Sequence, residues 1–555
     1  MIQTYLSSIH CHEETDELSS ADEPYVLVTA VDLKATLSIG NVDIPFPAFD
    51  VVRYGPFEDV DAGETHFAPG IAHSFWGLAD TPAALEDPDR VIFVVALMEH
   101  DAGRPGTLQG IVKGIVGGSV LGSFTLGRER QVTLLIRDVA SALGTPSGPS
   151  ADQDNPVGNP QELRFTRQEL AVAEAGRTVS KSLVFAGEGG RYTLTFEAGK
   201  RVRVNAEPGA TVTALLPFEG HVDVFATSRD DGTVWSTFFE AARNWQNWFP
   251  IHPEQPQGKM KPGATVTALQ PFAGHVDLFA TREDGTVMST FFEVDGGWRE
   301  WFEIHAETRM NPGATVTALQ PFAGHVDLFA TRHDGTVMST FFEVDGGWRE
   351  WFEIHAETRM HSGATVTVLQ PFAGHVDLFV IGDNHTVMST FFEADGGWRE
   401  WFEIDSDTRM TLGATVTVLQ PFEGHIDLFA TRHDGTVMST FFEAGGQWRE
   451  WFEIHAETKM ALGATVTALQ PFAGHVDLFA TREDGTVMST FFEVDGGWRE
   501  WFEISSETKM QSGATVTALQ PFAGHIDLFA VREDGTVMST FFEADGGWRA
   551  WFAFP

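Results

Sequence analysis

The string GATVTALQPFAGHVDLFATREDGTVMSTFFEVDGGWREWFEI begins at Gly263 and returns every 50 residues, at Gly313, Gly363, Gly413, Gly463 and Gly513. A more divergent copy begins at Gly209, so repeats start near 208, 262, 312, 362, 412, 462 and 512 and run to residue 555. Such a period means that each module must bury its apolar face on a neighbour, which restricts the fold to solenoids, propellers and arrays.

Four runs within a copy have strand composition, 265–269, 275–280, 287–294 and 298–304. Asp284-Gly285 separates the second from the third, because glycine takes the positive φ that a tight turn needs, and Asp295-Gly296-Gly297 separates the third from the fourth. Four antiparallel strands repeated seven times match a seven-bladed β-propeller, with a solenoid as the alternative. The second and third copies differ at Glu283 versus His333 and at Asn311 versus His361. Near-identical modules offer near-identical junctions, which suits multivalent binding better than a single active site. If each first strand completed the preceding blade, the run at Thr211 would close the ring on the Trp551 strand; the sequence leaves that phase open.

Composition narrows the partners. With 78 Asp and Glu against 36 Lys and Arg, the formal charge is −42, which argues against nucleic acid. The single cysteine, Cys11, excludes an intrachain disulfide, so the fold must hold by packing. The first residues, MIQTYLSSIHCHEETDEL, lack a basic segment followed by an apolar one, so we expect a cytoplasmic protein or one released by a non-classical route. There is no phosphate-binding glycine loop, GxSxG elbow, CxxC pair or HExxH, and we expect a non-enzyme that requires no cofactor.

Candidate ligand contacts recur once per copy. Alternation along a strand would place Trp298 and Trp301 on opposite faces, one in the core and one free to stack on a sugar. We take the Trp301 series as the platform: Trp248, Trp301, Trp351, Trp401, Trp451, Trp501 and Trp551. Beside it on the same face would lie Arg299, Arg349, Arg399, Arg449, Arg499 and Arg549, with Glu303, Glu353, Glu403, Glu453 and Glu503, able to hold hydroxyl groups or to pair as a solvated edge. His275 and Asp277 share a face of the second strand and recur in every copy; one His and one Asp do not make a closed metal shell, so an inter-strand hydrogen bond is expected. Ser228, Asp230, Gly232 and Trp235 form an Asp box, a turn motif of sialidase-type propellers, but Tyr5, Tyr25, Tyr54 and Tyr192 all lie outside the repeats, which removes a sialidase tyrosine nucleophile.

The pattern GHVDLFATREDGTVMSTFF followed by GGWREWFEI resembles the repeat of seven-bladed bacterial lectins typified by the Photorhabdus fucose-binding lectins, through Asp277 to Ala280, Asp284-Gly285, and Gly297-Trp298 with Trp301. The resemblance covers residues 208–555 and implies sugar pockets with aromatic walls between adjacent blades. Met288, where such repeats commonly carry an aromatic, departs from it. Propellers of this kind also resemble recognition modules of biological-conflict systems.

Residues 1–204 read as a β-sandwich from apolar runs at 25–31, 91–98, 132–136 and 192–196. The phrases SADEPYVLVTAV, VIFVVALMEHD and YTLTFEA resemble calcium- and lipid-binding sandwiches of the C-two type, which would let Asp22, Glu23, Glu99 and Asp101 converge on calcium. Segment 108–126 carries one charge, Lys113, and glycines at 110, 114, 118 and 122; it could contact or cross a membrane, or pack as a hairpin within the domain. Residues 145–161 have linker composition.

The expected protein is an all-β, multivalent glycan-binding propeller fused to an attachment or delivery domain. A protein-interaction scaffold and a lectin-targeted, membrane-active toxin are the alternatives.

Overall fold

The computed structural model describes residues 2–15, 22–33, 35–39, 42–45, 48–57, 60–68, 74–78, 81–82, 85, 87–100, 105–123, 125–144, 154–187, 189–200, 202–240, 244–544 and 546–554. They divide into two compact units, one of residues 1–202 with 240–247 and 555, the other of residues 203–239 with 248–554.

In the repeat unit each copy forms one antiparallel sheet, and seven such sheets follow one another. The second copy serves as the example. Its strands Thr267–Phe272, His275–Thr281 and Val287–Glu293 lie side by side, and two short segments, Gly297–Trp298 and Phe302–Glu303, pair with opposite ends of Val287–Glu293. The expected continuous fourth strand is therefore broken at residues 299–301. That break cancels the expected alternation, and Trp298 and Trp301 enter the same layer, packed with Phe225, Val266 and Leu278 between the first and second sheets.

The first strands stand in cyclic order around an axis, each linked to the next by a threonine hydroxyl that donates to a valine carbonyl. The donors are Thr213, Thr267, Thr317, Thr367, Thr417 and Thr467, and Thr517 closes the circle onto Val212. Each is worth about 0.5–1.5 kcal/mol net. A second hydroxyl series, Thr281 to the Ala314 carbonyl at 2.8 Å and its counterparts, is interrupted where the sequence has Ile381 and Val531.

Each first strand pairs with the second strand of its own copy, so no blade borrows a strand. Closure uses the linkers instead. Between copies, the Met310 N–H donates to the Gly285 carbonyl of the preceding turn at 2.8 Å; at the seam Ala206 does the same to Gly535 at 3.0 Å. Phe554 takes the place of Ile304 and packs on Trp248 and Phe529 with ring centroids 5.7 and 5.6 Å apart.

In the unit of residues 1–202, one sheet orders Val179–Gly187, Gly190–Lys200, Ile2–Glu13 and Thr65–Phe67; another orders Asn155–Pro156, Val91–Glu99, Pro24–Asp32 and Ala48–Tyr54. Leu6, Val28, Phe93 and Phe196 from both sheets share one core. A strand was expected at 132–136, but that run lies within helix α2, Arg128–Leu143; the segment read as a membrane-contacting run or a packed hairpin, 108–126, supplies most of α1, Pro105–Ser123. Burial of Val132, Leu135, Val139 and Ala142 has the helical period, which a five-residue window is too short to reveal. The hairpin of α1 and α2 covers the second sheet through Leu108, Val112 and Val116 against Leu27, Ile92 and Val94. Gly110, Gly114, Gly118 and Gly122 face open space. Among the described residues no helix is long and apolar enough to cross a membrane. Of the expected linker, residues 145–153 lie outside the described residues, and Asn155–Pro156 and Gln161–Leu163 pair with Val91–Glu99.

The turn at Gly285 admits no side chain, since φ is +81° and a Cβ would stand 2.2 Å from the Met310 carbonyl oxygen. Gly285→Ala is expected to cost more than about 1 kcal/mol, read as a lower urea midpoint of the repeat unit; an unchanged midpoint would contradict the turn. The neighbouring aspartates cap the same turns. Against a burial penalty, the Lys259 ammonium and the Thr233 hydroxyl and N–H hold Asp231 down to about 2, from an ordinary 3.8. The Arg432 guanidinium draws Asp434 lower still. Lowered folded-state values give stability that is present above about pH 4 and lost as pH falls through them. Asp231→Asn with Asp434→Asn should therefore lower the urea midpoint at neutral pH and flatten its decline into acid.

Candidate functional site

At the junction of the second and third sheets a pocket of about 390 Å³ opens, within the size range of small-molecule sites. The second sheet lines it with Phe272, His275, Asp277, Phe291, Glu293 and Phe302. The third contributes Gln320, Gly324, Val326, Phe342, Val344 and Trp348. The hairpin Phe272 to His275 and the strand Val287–Glu293 set these side chains. His275 and Asp277 share a face because strand side chains alternate, and His275 lies opposite Glu293 in the ladder.

The His275 ring lies between Phe272, centroids 4.6 Å apart, and Phe291, at 5.0 Å and 19°. Phe272 is 62% exposed at the outer end of this stack. His275 Nε2 meets Asp277 Oδ1 at 3.0 Å, while its buried Nδ1 has no hydrogen-bond partner. Burial pushes the Asp277 carboxyl above the usual carboxylate range, and the adjacent His275 pulls only part of the way back. The same stack and the same His–Asp bond recur in the copies that follow, with 3.0 Å at His325–Asp327 and 3.2 Å at His375–Asp377.

The expected site residues are distributed differently. The Trp301 series is core: Trp248, Trp301, Trp351, Trp401, Trp451, Trp501 and Trp551 are 2–9% exposed. Four of their indoles are held from within, those of Trp301, Trp351, Trp401 and Trp501, as where Trp351 Nε1 donates to the Ile304 carbonyl at 3.1 Å and Trp401 to Ile354 at 3.1 Å. A ring so placed offers no face to a sugar. The partner ring of each pair, Trp348 in this pocket, is half-buried and forms the wall.

Arg299 and Glu303 do not meet either. Arg299 Nη2 pairs with Glu293 at 2.6 Å, and Glu303 with Arg282 at 3.2 Å, because the two short segments pair at opposite ends of Val287–Glu293. Arg349 and Arg399 repeat the first bond, on Glu343 and Glu393; so do Arg449, Arg499 and Arg549, on Glu443, Glu493 and Glu543. Glu353, Glu453 and Glu503 repeat the second, on Arg332, Arg432 and Arg482, and Glu403 takes Asn384 instead. The reading from sequence missed Phe272, Phe291, Phe302 and Glu293. The signal was present as an aromatic two residues from a glycine and a histidine three after that aromatic, in every copy.

In the other unit two of the proposed calcium ligands, Asp22 and Glu99, are engaged internally. Asp22 accepts from the Thr15 N–H and hydroxyl, both at 2.8 Å, and from the Tyr192 hydroxyl; Glu99 accepts from the Glu23 N–H at 2.7 Å. Asp101 lies outside the described residues. Among those described, no group of three or more His, Cys, Asp and Glu is placed to hold a metal ion.

No protein-family profile matches the chain, and no curated protein matches it. Among solved structures, the BP39L lectin from Burkholderia pseudomallei aligns with 63% of this chain and 99% of its own, at a TM-score of 0.57 and 20% identity. AofleA from Arthrobotrys oligospora aligns with 52% of this chain and 86% of its own, at 0.40 and 13%. The Aleuria aurantia lectin, described as a six-bladed β-propeller with a fucose recognition mode, aligns with 51% and 91%, at 0.37 and 9%. The likeness to BP39L shows a shared fold, and the cyclic order of antiparallel sheets in this chain is that of a β-propeller.

The upward shift at Asp277 has a stability consequence. A raised folded-state value gives a contribution that is full below the unfolded value and is lost as pH rises through the folded one. Converting Asp277, Asp327, Asp377, Asp427 and Asp477 together to Asn should move the urea midpoint, relative to the parent protein, upward as pH rises above about 4. A difference independent of pH would refute the buried-carboxyl account.

Proposed function

We propose that this protein is a non-enzymatic, multivalent carbohydrate-binding protein whose ligand sites are the pockets between successive blades of a seven-bladed propeller, and that residues 1–204 attach or deliver it. The carrying observation is the aromatic-walled pocket with polar groups at its base, built from residues that recur from copy to copy. Pyranose rings present an apolar face and hydroxyl edges, which suit a Phe272 rim above His275, Asp277 and Gln320. The motif resemblance to the Photorhabdus lectins and the glycan-binding names of similar propellers support the same reading. Recurrence lets individually weak sites act together on a glycan-coated surface.

The test is a glycan array on the full chain beside a variant with Phe272, Phe322, Phe372, Phe422, Phe472 and Phe522 changed to Ala. These rings are half-exposed or more, so the variant should fold. Binding to a defined glycan, weakened about tenfold or more in the variant, is expected from loss of stacking multiplied over several sites. Absence of binding by the folded parent protein would redirect attention to a polypeptide ligand, which the same exposed phenylalanines could serve.

A further inference from the structure

Resting on the reading of the blade junction as the ligand site, we propose that its preferred ligand is a saccharide bearing a protonated amine. The ionisable groups lining the pocket between the second and third sheets are Asp277, Glu293 and His275, all from the second sheet. The third sheet adds the Gln320 amide and no charge, and among the described residues no lysine or arginine lines the pocket. His275 occupies Asp277 Oδ1, and among the described residues no donor meets Oδ2. Arg299 places both of its bonds on Glu293 Oε2, at 3.1 and 2.6 Å, and none on Oε1. Two carboxylate oxygens are therefore left for a ligand, in a cavity that holds several aromatic rings.

This combination selects by charge. A neutral sugar can offer hydroxyl donors, but it leaves the Asp277 charge, already disfavoured by burial, with the adjacent His275 alone to offset it. A uronic or sialic acid would bring a third negative group to two carboxylates. An ammonium brings three donors and a positive charge, and the faces of Phe and Trp rings attract cations most strongly where water is excluded. The net charge of −42 adds a field that draws cations towards the whole surface.

Arg299 does not relieve the deficit. It is half-exposed, already committed to Glu293, and outside the pocket lining. The arrangement repeats in the third copy, where Arg349 places both of its bonds on Glu343 Oε2 and Asp327 is raised by burial in the same way.

The test titrates the full chain, followed by tryptophan fluorescence and calorimetry at about pH 6.5, with the amine, N-acetyl and hydroxyl forms of gluco-, galacto- and manno-configured methyl pyranosides. The expected result is binding of at least one amine form about tenfold tighter than its N-acetyl and hydroxyl counterparts. That preference should shrink in high salt and in a variant with Glu293, Glu343, Glu393, Glu443 and Glu493 changed to Gln, whose side chains lie near the surface. Neutral forms that bind as tightly as the amines, with binding lost in the Phe272→Ala series, would overturn the amine preference and leave the pocket as the site. Absence of binding by every form would overturn both readings.

Discussion

Closure of the ring is the constraint on which the rest of the repeat unit depends. Near-identical modules can close only if each junction turns the chain by the same fraction of a circle, and an angular error at one junction would be added at every other. The threonine hydroxyls of the first strands set that spacing at the axis, where the sheets come closest, by tying each strand to the carbonyl of its neighbour. Further out, buried tryptophans and the Met310-type linkers fill the widening wedge. The pocket lies in the part of that wedge left unfilled, so its shape is a by-product of how the blades are spaced.

Much of the repeat unit could be read from the chain. Spacing located every sheet, Asp284-Gly285 located the turn, and alternation put His275 and Asp277 on one face as the structure has them. The site itself was less legible. Choosing between Trp298 and Trp301 required knowing that the outer strand breaks after Trp298, and that break comes from pairing with both ends of Val287–Glu293, a tertiary matter with no local signature. Arg299 and Glu303 were drawn together by the same false assumption of one continuous strand.

The other unit shows a different kind of failure. VTLLI, at 132–136, has strand composition in isolation, and the run at 108–126 has the small-residue spacing of membrane helices. Their common role as a hairpin over a sheet appears only when Val132, Leu135 and Val139 are set beside Leu108, Val112 and Val116. Gly110, Gly114, Gly118 and Gly122 point away from that interface. A spacing rule reports which residues share a face, but it cannot say which face is covered.

The two ends of the repeat unit also carry information that the interior copies lack. Interior modules are nearly interchangeable, so a folding intermediate could dock one of them in another's place, the register error to which tandem arrays are prone. Ala206, standing where the other copies have methionine, and Phe554, standing where they have isoleucine, are shaped for each other's side of the seam. They mark the one junction at which the first and last copies meet. A ring assembled with one module too few or too many would still have to bring Ala206 and Phe554 to that same seam.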